Sequence, residues 1–202
     1  MSTPSRCLIA AVAALVLHPP TLAAQTKLPA VVADISTIYT LADGRQFTSA
    51  GRYYRSKDGR IREDSPLGAI ITDIKTGTMT MLNFERREAH VIKVAASGRA
   101  TNARSLPPAV RYADATVDGR QVTKARAENG AGEAQEFWTA KDLGLVVFSK
   151  VSSPNVTMAK SLRNISLKQP DASVFSVPAG FTVTKHDTGK VPRPAMPTAP
   201  LK

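Results

Sequence analysis

Cysteine is nearly absent from this sequence of 202 residues: Cys7 stands alone near the N-terminus. The rest of the chain can therefore form no disulfide, thiolate nucleophile or cysteine-ligated zinc site. Histidine is almost as scarce, with only His90 and His186 beyond the first two dozen residues. There is no nucleophile-elbow serine motif, no His-Glu metal helix and no glycine-rich phosphate loop. These absences leave no catalytic residue, no metal ligand and no cofactor to assign, so the expectation is a protein that is not an enzyme. Aromatic residues make up 5%, and no basic run exceeds Arg86-Arg87. A net charge of +11 invites a polyanion partner. Spread thinly and without aromatic platforms, that charge describes a cationic surface and argues against a nucleic-acid partner.

The one long apolar run lies at the N-terminus. Met1 to Arg6 carries one positive charge, Cys7 to Leu17 is apolar, and His18-Pro19-Pro20 ends the run. That is short of the roughly 20 residues that span a bilayer. Thr21-Leu22-Ala23-Ala24 supplies small residues for cleavage before Gln25, so residues 1–24 read as a secretory signal peptide. The expected product is an exported, periplasmic bacterial protein and a monomer. Residues 25–186 form one domain. Residues 187–202, with prolines at 192, 194, 197 and 200, form an extended or disordered tail.

What the sequence has in quantity is strand. Between Gln46 and Val94, short runs rich in β-branched and aromatic residues alternate with turns at Lys57-Asp58-Gly59-Arg60, Pro66-Leu67-Gly68, Lys75-Thr76-Gly77 and Asn83 to Glu88. That rhythm predicts a β-meander. Ahead of it, Ala30 to Leu41 has apolar residues spaced closer to 3.6 than to 2 but a high β-branched content, which predicts a strand from about Ser36. After a small, polar stretch from Ala95 and a proline-marked connection from Leu106 to Tyr112, strands resume at Ala115 and continue to Leu167. Asp171 predicts a short capped helical turn, and an extended piece follows Pro178. The sum is one large antiparallel sheet, curled or closed.

Several of these segments carry a resemblance. They are Gly51-Arg52-Tyr53-Tyr54 with the Asp58-Gly59-Arg60-Ile61-Arg62 hairpin, Ile70-Ile71-Thr72-Asp73 with Met79-Thr80-Met81-Leu82, and Trp138 to Leu145. Leu162-Arg163-Asn164-Ile165 and the ending Pro170 to Phe181 complete the set. Together they resemble the LolA-like superfamily, which includes outer-membrane lipoprotein-sorting proteins, over roughly Ile35 to Val183. The resemblance implies a mainly β fold: a large curved antiparallel sheet, an unclosed half-barrel, with a short helix or loop as lid. It implies a non-enzymatic periplasmic lipid- or lipoprotein-binding carrier whose apolar concave face takes acyl chains or a lipidated protein. The alternative is a cell-envelope sensor or protein-interaction module on the same fold, with an envelope protein as partner. The tryptophan and arginine-proline elements usual in the early hairpins of the lipoprotein carriers are missing from the matching places.

In a curled sheet alternate residues face inward, so Met79 and Met81 share a surface with one face of Ile70 to Ile74 and of His90 to Val94. Methionine adapts to flexible acyl chains. The candidate ligand-binding residues are Tyr54, Ile71, Met79, Met81, Ile92 and Trp138. The competing reading makes them the packed core of a sheet, with Trp138 as its anchor.

Overall fold

A computed structural model describes residues 28–93, 110–128 and 132–186. The expected leader and tail, and most of the connection after Val94, lie outside them. Twelve strands form one sheet: β1 (Val31–Leu41), β2 (Gln46–Arg55), β3 (Arg60–Ser65), β4 (Gly68–Asp73), β5 (Thr78–Asn83), β6 (Glu88–Lys93), β7 (Val110–Val117), β8 (Arg120–Glu128), β9 (Ala134–Ala140), β10 (Leu145–Ser152), β11 (Val156–Ser166) and β12 (Thr182–His186). A 3-10 turn, Ala172–Phe175, stands between the last two. Across the sheet the order is β12-β6-β5-β4-β3-β2-β1-β11-β10-β9-β8-β7, with β12 and β7 unjoined. The half-barrel is open, as the sequence leads one to expect.

The expected meander is the run β2 to β6, in which every neighbour pairs antiparallel through a hairpin. Turn chemistry explains its corners. Gly59 sits at φ +92°, and Asp118-Gly119 takes positive φ at both positions, as a two-residue hairpin turn requires. Asp58 accepts from the Ser56 hydroxyl and from Arg60 Nε at 3.0 Å, which closes the β2–β3 turn from outside. Those donors hold its carboxyl at about 2, the Ser56 hydrogen bond first and Arg60 after it.

Three details depart from expectation. The first strand starts at Val31 rather than near Ser36, because Val31, Ala33, Ile35 and Thr37 alternate onto one buried face and the β-branched content outweighs the helix-like spacing. β7 begins at Val110, so the stretch assigned to a connection through Tyr112 is already paired with β8. The sheet is mixed rather than purely antiparallel, since β12 runs parallel to β6. A parallel pair needs a crossover, and here residues 167–181 supply it as a strap that starts at β11 and ends at the far edge.

The capped turn predicted at Asp171 is in that strap. Its carboxylate accepts from Ser173 N at 2.8 Å, and the turn delivers Phe175 onto the sheet. Phe175, 8% exposed, packs with Ala69, Ile71, Leu82 and Ala89. Val174, Val177, Phe181, Phe84 and Tyr54 surround that cluster. Arg62 Nη1 donates to Val174 O at 2.7 Å, and Arg60 stacks its guanidinium 4.8 Å from the Phe175 ring centre. Burial of this order stabilises by about 25 cal/mol per Å² of apolar surface. A second cluster, of Val31, Ala33, Ile35, Tyr53, Ala140, Leu143 and Leu145, lies at the other side of β1 and β2.

Candidate functional site: the inner face of the sheet

Register assigns every side chain in the central strands to one of two faces, because paired residues share a face and neighbours along a strand do not. One face carries Val31, Ala33, Ile35 and Thr37 on β1, then Tyr53 and Arg55 on β2 and Ile61 and Glu63 on β3. It continues with Ile70 on β4, Met79 and Met81 on β5 and His90 and Ile92 on β6. On the other side of β1 it carries Lys160 and Leu162 on β11, Ser149 on β10 and Phe137 on β9.

Two contacts on this face join strands that are not neighbours. Lys160 Nζ reaches Glu63 Oε2 at 2.8 Å and Oε1 at 3.1 Å, although β1 and β2 lie between them. Arg55, 2% exposed, donates from Nη2 to Leu143 O at 2.7 Å in the β9–β10 turn, across β1 and β11. Side chains stand roughly perpendicular to a sheet, and three strand spacings amount to about 14 Å. The ion pair closes because the sheet curls toward this face, which is the inner one. Gly51 permits part of the bend. A Cβ there would fall 1.9 Å from Asp64 O, so the β3 backbone occupies the place of a side chain. Burial under the curl pushes the Tyr53 phenol above its ordinary value and draws the Arg55 guanidinium below its own.

Four apolar side chains make a block on the inner face beyond the ion pair. Ile70 is opposite Met81 and Met79 is opposite Ile92, in adjoining rows of β4, β5 and β6. Ile70 is 44% exposed, the two methionines are half-buried, and Ile92 is buried. Glu63 is the cross-strand neighbour of Ile70, so charge and apolar surface meet directly.

The six residues singled out from sequence do not share this surface. Met79, Met81 and Ile92 are on it. Tyr54 and Ile71 point to the outer face, beneath the strap that carries Phe175. Trp138 is also outward, stacked on Phe148 with ring centres 4.3 Å apart and covered by Lys124 Nζ at 4.2 Å. Its indole N–H donates to Glu136 at 2.6 Å. A lining built from all six is therefore excluded by the pleat. The inward members of the same doublets are Tyr53, Ile70 and Phe137. The short turn implied as a lid is present, but it lies on the outer face.

Two further features escape sequence reading. His90 and His186, nearly a hundred residues apart, meet edge on through β6 and β12, with His90 Nδ1 2.9 Å from His186 Nε2. Glu88 adds a carboxylate 3.8 Å from His90 Nε2. Among the described residues no set of three or more histidine, cysteine or acidic side chains is gathered for a metal. The second feature is a polar row, Ser149–Lys160–Thr37, in register across β10, β11 and β1. Both hydroxyl residues are buried, at 7% and 8% exposure.

No family model matches this chain, and neither does any curated protein. Solved structures do. An uncharacterized conserved protein from Thermus thermophilus superposes with a TM-score of 0.54 at 7% identity, over 78% of this chain and 91% of that one. That likeness shows the fold. A LolA superfamily protein from Nitrosomonas europaea is similar with a TM-score of 0.37 at 7% identity, over 74% of this chain and 90% of its own. The chain is similar to LolA superfamily structures. A chain of the Pseudomonas aeruginosa MucA/MucB complex is similar with a TM-score of 0.46 at 12% identity, over 76% of this chain and 57% of that one.

Proposed function

We propose that the inner face binds the acyl chain of a lipid or of a lipidated protein, and that the protein is a non-enzymatic periplasmic carrier. The observation that carries this reading is the block of Ile70, Met79, Met81 and Ile92 on the hollow side of a curled sheet, with Ile70 44% exposed. Apolar surface held open inside a curve is suited to a chain-shaped ligand, and two methionines let the lining follow a flexible one. Each methylene taken from water contributes about 0.8 kcal/mol. The net charge of +11 favours approach to anionic headgroups.

Native mass spectrometry of the full chain purified from periplasm, with titration of a fluorescent fatty acid, tests the reading. Co-purified lipid and saturable uptake are expected, and Met81→Lys should weaken uptake at least about tenfold by placing a charge in the hollow. Absence of both signals overturns the carrier. In-cell crosslinking that traps one envelope protein, with no lipid uptake, would replace it by the sensor or interaction module.

A further inference from the structure

The polar row lies three or more strand pairings from the apolar block, and its lysine reaches over the inner face toward that block. Lys160 stands between Thr37 and Ser149, its cross-strand neighbours on the same face, and both hydroxyl residues are nine-tenths buried. The Lys160 side chain is 21% exposed, and among the described residues its ammonium is held by Glu63. Glu63 in turn is next to Ile70, the first residue of the apolar block. A cation that reaches over β1 and β2 to a carboxylate one pairing from that apolar surface, with two hydroxyl residues as its cross-strand neighbours, has the chemistry that binds a carboxylate or phosphate attached to an alkyl chain.

We infer that Lys160, Thr37 and Ser149 form an anion subsite for the headgroup of an amphiphile, and that Glu63 holds the Lys160 ammonium in place until the ligand takes it over. This rests on the acyl-binding reading above. The incoming anion and the Glu63 carboxylate compete for one ammonium. Glu63 therefore sets a threshold that a neutral head cannot cross, and the site selects anionic amphiphiles over uncharged ones of the same length.

Isothermal titration of the full chain with dodecanoate, dodecyl phosphate, 1-dodecanol and inorganic phosphate tests this. Wild type should bind one or both anionic probes about tenfold more tightly than dodecanol. Lys160→Met should erase that preference while leaving dodecanol binding within about twofold, and Glu63→Gln should tighten the anionic probes several-fold. The double variant Thr37→Val with Ser149→Ala should lose part of the preference, and it keeps the test decisive if Lys160→Met fails to fold. Equal affinity for dodecanol and dodecanoate in wild type, or a preference that survives both sets of variants, overturns the subsite. Binding of inorganic phosphate with no alkyl probe bound supports the anion subsite and removes the acyl reading. No binding of any probe removes both.

Discussion

Lys160 and Glu63 form an ion pair over the top of two intervening strands, and each side chain keeps about a quarter of its surface in water, 21% and 28%. The pair is intermediate between a surface bridge, which is nearly neutral, and a buried one, whose partners are costly to separate. Lys160→Met leaves the Glu63 carboxylate half-buried and alone. It should cost about 1–3 kcal/mol in urea denaturation. Adding Glu63→Leu should recover most of that loss, because the stranded charge is then gone.

Gly51 and Gly44 separate two reasons for a glycine. At Gly51 a methyl group would strike the Asp64 carbonyl at 1.9 Å, whereas Gly44 has φ +83° and open space around it. Gly51→Ala should destabilise by about 2–3 kcal/mol through forced backbone movement, and Gly44→Ala by about 1 kcal/mol through strain alone. Thermal melts of the two single variants measure the difference.

Architecture was legible in the sequence because strand spacing and turn residues are local. Asp58-Gly59 and Asp118-Gly119 announce their corners within a few residues. The phase of the pleat was not. Tyr53-Tyr54, Ile70-Ile71 and Phe137-Trp138 are doublets whose members face opposite ways, and only the pairing partner says which faces in. For all three doublets the candidate list took the outward member, Tyr54, Ile71 and Trp138, alongside the inward Met79, Met81 and Ile92. The same limit hides Lys160 from Glu63 and His90 from His186, contacts that span nearly half the chain. A parallel final strand was equally out of reach, since its pairing depends on where the strap leaves it.

Removing Phe175 tests the strap. The ring is 8% exposed and packs on Ile71, Leu82 and the two small residues Ala69 and Ala89. Phe175→Ala should cost about 3–5 kcal/mol. Amide hydrogen exchange should show β12 losing protection before β4 and β5.

At acid pH the β2–β3 turn should weaken. The Asp58 carboxyl sits at about 2 in the folded chain against an ordinary 3.8, so its contribution is whole above about pH 4 and is lost as pH falls through 2. Asp58→Asn should be less stable than wild type at neutral pH. The gap between the two should close in denaturation series carried down toward about pH 2.

At alkaline pH the sign reverses for Tyr53. Burial raises its phenol above the ordinary 10.0, so the unfolded chain loses that proton first and stability falls as pH climbs past this value. Tyr53→Phe should remove that part of the alkaline slope. Paired denaturation series between about pH 9 and 11 read the difference.

The strap also sets an order of assembly. Each hairpin from β2 to β6 can close as soon as its own residues are present, but β12 joins β6 only after β11 has been made and the crossover has travelled the width of one half of the sheet. A nascent chain that stops at Ser166 therefore has neither its tie across the convex side nor the second half of its histidine contact. Assembly ends with β12, and a chain stopped short of it leaves the earlier strands without their fastening.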